Sequence, residues 1–339
     1  MAKRVTIYEV ANRAEVAIST VSRVLNASPN VSEKTKIKVQ KAIKELNFRP
    51  QVNARKLASK EPQILAIAVP SFTTPYFNEV LKGVKDEIQK MDLDIIMYNT
   101  GSRNPEEAVQ NFFDRGTADA AILLSIDVSD EVHELIQATQ MPAVLVKSSH
   151  PAYNFFMLND YQGGYDAGEH LVKQGFEKIG MIKPIINSRS AMERERGFVD
   201  ALQNYKIKIH AEYFMTGDTT KHGGFTEESG FEAIYKFKKQ GAFPEAIFCS
   251  NDTQAVGAMY ALSKLGMEVP RDIAIMGYDN IKLSKYLDLT TIDQKMYTVG
   301  QEATKRLAEI IKNPDSELFQ KILDPVLIKR KSTTNLNKK

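Results

Sequence analysis

The feature that most constrains the fold is an alternation, from residue 64 onward, of short apolar runs with amphipathic helical stretches. Strands separated by helices pair in parallel, with helices covering both faces of the sheet. The pattern restarts near residue 178, so we predict an α/β body of two doubly wound parallel-sheet lobes, with a ligand cleft at the carboxyl ends of the strands. The predicted strands are Leu65–Val69, Asp94–Tyr98, Ala120–Leu124, Ala143–Val146, Lys178–Ile182, His210–Phe214, Ala246–Cys249 and Ile273–Gly277.

The first 50 residues space their apolar side chains helically instead, and this spacing predicts three short helices. Thr6 and Glu9 have the T-x-x-E form of a capping box, and Ser32 is a suitable start for the third helix. The third helix is expected to end at Arg49-Pro50, because a residue that precedes proline disfavours the α conformation.

The charge is distributed unevenly along the chain. Residues 1 to 60 carry 13 Lys and Arg against 4 Asp and Glu, whereas the remainder carries 32 against 38. A basic head on a mildly acidic body is suited to binding a polyanion by one end. The only cysteine, Cys249, excludes an internal disulfide and a Cys-rich zinc site. The N-terminal residues lack the apolar stretch of a secretion signal, so we expect a cytoplasmic protein.

Sequence motifs of catalysis are missing. The sequence contains no G-x-G-x-x-G, no G-x-x-x-x-G-K-S/T, no G-x-S-x-G and no H-E-x-x-H, and its five histidines are scattered. We therefore expect no enzyme, no cofactor and no metal. A cytoplasmic solute-binding protein or an enzyme remains an alternative on this architecture, although neither would explain the basic head.

One segment of the head matches a known motif. It runs from Thr6 to Asn26 and reads TIYEVANRAEVAISTVSRVLN, which resembles the helix-turn-helix of the lactose-repressor/galactose-repressor (LacI/GalR) family, T-I-x-D-V-A-x-x-A-G-V-S-x-x-T-V-S-x-V-L-N. Glu15 and Ala17 depart from the usual glycine and serine. The resemblance continues to about Arg330 and implies a sequence-specific transcriptional repressor with a periplasmic-binding-protein-like body. Its operator affinity would be controlled by a small-molecule effector, a sugar or sugar derivative.

In such a motif the second helix lies in the major groove and presents its first side chains to the bases. Ile18 and Ser19 are therefore expected to read bases, and Arg23 to contact phosphate. The resemblance extends to the family hinge, in which Leu57 would enter the minor groove as a wedge, unless it packs against the body instead. The predicted DNA-binding residues are Thr6, Tyr8, Ile18, Ser19, Thr20, Ser22, Arg23, Asn26, Asn53, Ala54 and Leu57. Paired wedges imply a homodimer on a pseudo-palindromic double-stranded DNA operator.

The resemblance also implies an effector site in the body. Arg194 lies in the family's R-x-x-G-F motif and Asp279 in its G-Y-D-N motif, where the arginine donates to the ligand and the carboxylate accepts from ligand hydroxyls. The predicted effector contacts are Ser71, Tyr76, Phe77, Ser125, Lys147, Arg194, Phe225, Asn251 and Asp279. For Tyr76 and Phe77 a core role is the alternative, and for Asn251 a helix cap.

Two departures from the family pattern bear on the ligand. Lys147 stands where many relatives carry an aspartate, so that Lys147 and Arg194 would face the single carboxylate of Asp279 and favour an anionic sugar derivative. The alternative is that Lys147 reaches solvent or pairs with a neighbouring acid. The family's G-D-F/Y-x-x-E-S-G motif is interrupted by Thr219–Gly224 before Phe225, which predicts a longer loop there.

The predicted domains are a helix-turn-helix domain over 1–50, a hinge helix over 51–61 and an effector-binding and dimerisation domain over 62–335. Within the last, lobe 1 comprises about 62–160 and 292–322, and lobe 2 comprises 161–291 and 323–335. A catabolite-control-type regulator, whose input is a phosphorylated carrier protein, is an alternative within the family.

Overall fold

The computed structural model describes residues 5–25, 28, 30–48, 64–91, 93–101, 105–186 and 188–336. They belong to two compact units, a head within Met1–Gln63 and a body within Ile64–Lys339. Among these residues we find no helix with both the length and the apolar character needed to cross a membrane.

The head consists of α1 (Ile7–Ala14), α2 (Ile18–Leu25) and α3 (Glu33–Glu45). The predicted capping box is confirmed, because the Thr6 backbone N donates to Glu9 Oε2 at 2.7 Å and the Glu9 backbone N donates to Thr6 Oγ1 at 3.4 Å. Ser32 caps α3 as predicted. Val10, Val21 and Val39, one from each helix, are fully buried and hold the three helices together.

The third helix ends earlier than predicted. It stops at Glu45, because Asn47 adopts a left-handed conformation with φ 49°. The Phe48 backbone N then donates to the Ile43 carbonyl at 3.0 Å, and the Asn47 backbone N to the Lys44 carbonyl at 3.3 Å. This is a Schellman-type cap, so Asn47 ends the helix before Arg49-Pro50 is reached.

The body contains two parallel sheets and a short antiparallel pair. The first sheet has the order β11-β5-β4-β3-β1-β2, the second has the order β7-β6-β8-β9, and β10 pairs with β12. The strands are β1 (Ile64–Val69), β2 (Asp94–Asn99), β3 (Ala120–Leu124), β4 (Ala143–Val146), β5 (Asn154–Leu158), β6 (Ile179–Lys183), β7 (Phe214–Thr216), β8 (Ala246–Cys249), β9 (Ala274–Met276), β10 (Thr291–Asp293), β11 (Gln320–Leu323) and β12 (Val326–Ile328).

Helices cover both faces of each large sheet. The body helices are α4 (Pro75–Ile88), α5 (Pro105–Asp114), α6 (Asp130–Thr139), α7 (Asp160–Gln174), α8 (Arg189–Asn204), α9 (Glu227–Gln240), α10 (Asp252–Lys264), α11 (Lys282–Tyr286) and α12 (Met296–Lys312). Successive side chains of a strand point to opposite faces, so Leu65 and Ile67 of β1 join one core while Ala66 and Ala68 join the other. This arrangement confirms the two doubly wound lobes.

Strand order locates the ligand cleft. In the first lobe the chain moves outward from β1 to β2 and then returns to β3 on the other side of β1; in the second it does the same from β6 to β7 and β8. Such switch points leave a crevice at the carboxyl ends of the strands. The segments that follow β1, β3, β6 and β8 therefore line the cleft.

Three of the eight strands were predicted with their observed bounds, and the prediction of His210–Phe214 was wrong. A 3₁₀ turn occupies Ala211–Tyr213, and β7 begins only at Phe214. Tyr213 is buried, and its carbonyl oxygen lies 2.5 Å from where a β-carbon on Gly180 of β6 would be. The sequence patterns did not predict β5, β10, β11 and β12.

Two glycines allow α7 and α8 to pack closely, and this packing positions Arg194 at the cleft. A β-carbon on Gly164 would lie 2.0 Å from the carbonyl oxygen of Arg194, and one on Gly197 would lie 2.0 Å from that of Tyr161. Any larger residue at either position would separate the helices. The two glycines therefore hold Arg194 of α8 close to the start of α7.

Candidate functional site

The exposed face of α2 is the candidate DNA-recognition surface. Ile18 is 41% exposed even though it is apolar, and Ser19 and Arg23 are also exposed. Thr20 and Ser22 are half-buried at the edge of this face. Because Val21 is fully buried, the helix is fixed to the head core and can present this face rigidly.

Arg23, which is expected to contact phosphate, differs in its surroundings from Arg13 and Lys38 of the head. Arg13 pairs with Glu45 at 2.6 Å, and Lys38 pairs with Glu15 at 2.7 Å. Arg23 makes no ion pair with any residue that the structure describes. Its guanidinium is therefore available for an external anion.

The remaining DNA candidates have different surroundings. Tyr8 is 64% exposed. Thr6 is exposed, but its hydroxyl donates to Glu9 Oε2 at 3.0 Å and accepts from the Glu9 backbone, so it is already engaged in the cap. The predictions for Asn26, Asn53, Ala54 and Leu57 lie outside the described residues.

The cleft of the body is built partly from residues with left-handed backbones. Ser125 follows β3 with φ 51°, Lys147 follows β4 with φ 58°, and Asp279 follows β9 with φ 127°. A backbone hydrogen bond of 2.8 Å holds each of them, from Ser125 N to the Val146 carbonyl, from Lys147 N to the Phe156 carbonyl and from Asp279 N to the Ile292 carbonyl. Such conformations are costly for side-chain-bearing residues and cluster at functional sites.

Arg194 is a deeply buried charge of the cleft, at 2% exposed. Its Nε donates to Asp160 Oδ1 at 2.7 Å and its Nη1 to the Ser250 carbonyl at 2.7 Å, while the guanidinium lies 3.7 Å from the Tyr278 ring centroid. Burial opposes its charge, but Asp160, Tyr278 and Asp279 raise the pKa of Arg194 above its ordinary value. The third nitrogen, Nη2, is buried without a hydrogen-bond partner among the described residues.

Lys147 and Tyr76 form a second polar pair at the cleft. The Lys147 Nζ lies 4.3 Å from the Tyr76 ring centroid, a cation–π contact. Burial and the charge of Arg194 lower the pKa of Lys147 to about 8, although Asp160 and Asp279 oppose this shift. Tyr76 is 8% exposed, and its hydroxyl has no partner among the described residues. Burial and the same two carboxylates raise the pKa of Tyr76.

Asp279 is buried at 4% exposure and accepts a hydrogen bond at Oδ1 from Gln294 Nε2. Burial and the nearby Asp252 raise its pKa to about 7, against the opposing effects of Arg194 and Lys147. Gln294 is fully buried, and its Oε1 has no partner within the described part of the chain. The two side chains therefore offer acceptor oxygens to a ligand that carries donors.

The other predicted effector residues have mixed outcomes. Asn251 caps α10 by accepting from the Gln254 backbone at 2.9 Å, and its Nδ2 donates to the Phe225 carbonyl at 3.4 Å. The capping alternative is therefore observed, and an effector contact of Asn251 stays a prediction. Phe77 is partly buried and packs against the core of the first lobe, and its effector contact stays a prediction. Ser71 accepts from the Thr73 backbone at 3.2 Å in the turn after β1.

The structure also brings in residues that the sequence analysis did not name. Asp160 is the first residue of α7 and is separated from the end of β5 only by Asn159, and Gln294 directly follows β10. Both strands were missed, so the rule that ligands bind at strand ends could not be applied to them.

Asp160 corrects the expected balance of charges in the cleft. The sequence predicted two cations facing the single carboxylate of Asp279, but Asp160 is a second carboxylate, and it neutralises Arg194.

A cavity of about 440 Å³ opens between the two lobes of the body. The first lobe contributes Lys147 and the second contributes Arg189. Serine hydroxyls are frequent along its walls, at Ser125, Ser148, Ser149, Ser188 and Ser190. The cavity therefore combines hydroxyls with cationic groups and can bind a polar small molecule.

These features define a DNA-binding head joined to a periplasmic-binding-protein-like body. Family models agree with this division. The model described as bacterial regulatory proteins, lacI family, matches residues 6–51, and the model described as a periplasmic binding protein-like domain matches residues 169–333.

Full-length relatives identify the family. The chain is 30% identical to the HTH-type transcriptional repressor PurR of Mannheimia succiniciproducens, over 98% of this chain and 99% of the relative. It is 32% identical to the PurR repressor of Actinobacillus pleuropneumoniae, with the same coverage. The protein belongs to the LacI family of bacterial transcriptional regulators.

Solved structures agree with the family and the fold. The lac repressor dimer bound to operator and the anti-inducer ONPF has a TM-score of 0.79 and 29% identity, over 98% of this chain and all of that one. A LacI family regulator from Enterococcus faecium with bound ribose has a TM-score of 0.72 and 27% identity, over 81% of this chain and all of that one.

Proposed function

We propose that this LacI family regulator is a repressor that binds a pseudo-palindromic operator as a homodimer and changes its operator affinity when a sugar or sugar derivative occupies the cleft. The observation that carries the proposal is the set of buried polar atoms close to Lys147 and Asp279 that have no hydrogen-bond partner among the described residues. The donors are Tyr76 OH and Arg194 Nη2, and the acceptor is Gln294 Oε1. Leaving such atoms unpaired is costly, so a ligand that pairs with them would bind strongly.

The chemistry of these atoms supports a ligand with several polar groups. Hydroxyls or ring N–H groups would donate to Asp279 and Gln294, and hydroxyl or carbonyl oxygens would accept from Arg194 and Tyr76. Solved structures of relatives are consistent with this class, since one regulator of the family has bound ribose and the lac repressor is bound to the anti-inducer ONPF.

The DNA-binding part of the proposal rests on α2. Its exposed Ile18 and Ser19 would face bases, and Arg23, which has no ion pair within the described part of the chain, would contact phosphate. A single head of this size covers one half-site, so that two heads on a two-fold axis would read a palindrome. The lac repressor neighbour is described as a dimer bound to operator.

The test has two stages, both on the intact chain. Selection from random duplex DNA should return a sequence with two inverted half-sites, and a panel of sugars, sugar phosphates, uronates and nucleobases is then added to that complex. We expect at least one compound to change operator affinity, and Arg194→Ala to abolish the change while leaving ligand-free operator binding in place. Enrichment of no sequence would contradict the DNA-binding function; an unchanged response in Arg194→Ala would contradict the effector site.

A further inference from the structure

Two cations of the cleft lack a carboxylate partner. Lys147 and Arg189 form no ion pair with any residue in the described ranges. Glu193 is neutralised by Arg196 at 2.6 Å, so it does not compensate them. Asp127, also on the cavity wall, is exposed to solvent.

The deep end of the cleft does not neutralise Lys147 either. Asp160 is bound to Arg194 at 2.7 Å. Asp279 is the remaining carboxylate, but burial favours its neutral form and it already accepts from Gln294. A half-buried ammonium without an ion-pair partner is costly, and a ligand anion would offset that cost.

The two cations approach the cavity from opposite lobes. Lys147 follows β4 of the first lobe, and Arg189 begins α8 of the second. The Arg189 Nη1 donates to Ser149 Oγ of the first lobe at 3.4 Å, so its side chain already crosses the cleft. An anion placed there would contact both lobes at once.

Buried donors supply a second, independent indication of a ligand. Tyr76 is 8% exposed, and its hydroxyl has no partner among the described residues. The Lys147 ammonium lies against the face of the Tyr76 ring. Arg194 Nη2, in a side chain that is 2% exposed, is likewise unpaired. Both of these atoms can donate and both lie beside Lys147, so a ligand group that only accepts would pair with all three.

We propose that the effector carries a phosphate or carboxylate group that Lys147 binds from the first lobe and Arg189 from the second. The anion site rests on the proposed function in one respect, since both place the effector in the same cleft. Because the anionic group contacts both lobes, it stabilises an arrangement with the lobes close together more than one with the lobes apart. This difference in binding free energy couples the ligand to the conformational equilibrium of the body.

The first experiment uses inorganic phosphate and acetate as probes on the full-length protein, with sodium chloride added to keep the ionic strength constant. The thermal midpoint of the wild type should rise by roughly 2–4 °C at tens of millimolar of the preferred anion. The rise should be absent in Lys147→Met and reduced in Arg189→Gln. Lys239→Met, which removes an exposed lysine of α9, is the matched control and should respond like the wild type.

The two probes distinguish the sources of the anion, since a larger shift with phosphate points to a phosphorylated ligand and a larger shift with acetate to a carboxylate. The proposal is overturned if the wild type shows no shift beyond sodium chloride, or if Lys147→Met shifts as much as the wild type. Operator binding is measured on the same samples without probe. If operator binding is intact but the anion raises the thermal midpoint of Lys147→Met as much as that of the wild type, the anion subsite alone is overturned. If the protein does not bind the operator, the proposed function is contradicted.

A second experiment compares matched neutral and charged compounds, such as ribose with ribose 5-phosphate and glucose with gluconate, by calorimetric titration. We expect the charged member of at least one pair to bind about tenfold or more tightly in the wild type and to lose that advantage in Lys147→Met. Equal or tighter binding of every neutral member would contradict the anion subsite.

Discussion

Arg194 and Asp160 form an ion pair with an Nε–Oδ1 distance of 2.7 Å, and both side chains are almost completely buried, at 2% and 5% exposed. They are 34 residues apart in the chain and meet because glycines allow α7 and α8 to approach closely. The guanidinium is therefore fixed in place before any ligand arrives, and Nη2, which has no partner among the described residues, is left to contact it.

Removing the carboxylate of this pair should strongly destabilise the body. Asp160→Asn would leave a buried guanidinium without its counter-charge, and we expect a loss of about 3–5 kcal/mol in urea unfolding. Glu193→Gln breaks the exposed pair with Arg196 and should cost less than about 1 kcal/mol. Similar losses in the two variants would show that the buried pair does not stabilise the fold.

The protonation of Asp279 should make stability depend on pH. Its pKa is raised to about 7 in the folded protein from 3.8, so the folded state retains a proton that the unfolded chain has lost. Wild-type stability should therefore fall as pH rises from about 4 to about 7, and Asp279→Asn should lack this fall. Near pH 8 the variant should be more stable by on the order of 1–3 kcal/mol. Parallel pH profiles of the two proteins in urea unfolding would contradict the assignment.

The turn between α1 and α2 should be improved by glycine. Glu15 has φ 52°, a conformation that glycine adopts without strain, although its carboxylate pairs with Lys38. At high salt, where that exposed pair is screened, Glu15→Gly should slow amide hydrogen exchange in peptides that cover residues 7–25 of the intact protein. Glu15→Ala, which removes the pair but keeps the strain, should exchange faster than the glycine variant. The reverse order would show that backbone strain is not the dominant effect.

Base and phosphate contacts on α2 should respond differently to mutation. Ile18→Ala or Ser19→Ala should change the preferred base at one operator position by about 1–3 kcal/mol. Arg23→Ala should weaken binding to all sequences alike and reduce the salt dependence by about one phosphate contact. Competition among all single-base variants of the selected operator, at several salt concentrations, measures both effects. A changed base preference in Arg23→Ala would reverse the two roles.

The homodimer should use the outer edge of β2. This strand ends the order of the first sheet, and its Ile95 and Met97 are 38% and 43% exposed. Apolar side chains on an open strand edge favour association. Ile95→Lys with Met97→Lys should shift the protein to monomers in sedimentation velocity and weaken palindromic operator binding. Ile322→Lys, at the exposed Ile322 of the opposite edge strand β11, should leave the dimer intact.

Local sequence patterns determined the head and much of the body. The T-x-x-E box at Thr6 and the helical spacing of Val10 and Val21 are short-range features, so the start of α1 and the buried face of α2 follow from them directly. Runs such as Ala120–Leu124 were recognisable because a fully buried parallel strand is continuously apolar. β5 was missed because its residues alternate between buried and half-buried within an aromatic-rich segment that has no such run.

The arrangement of the cleft was decided by tertiary structure. The motif residues Arg194 and Asp279 could be read from the sequence, but their partners could not, since Asp160 and Gln294 reach them only through the crossing of strands and helices. Burial then set the charges: it favours the neutral form of Asp279 and lowers the pKa of Lys147, and no residue type or spacing encodes that. Sequence alone thus determined which chemical groups the chain brings to its cleft, whereas folding decided which of them neutralise each other and which remain for a ligand, because electrostatic interactions depend on distance and desolvation in three dimensions.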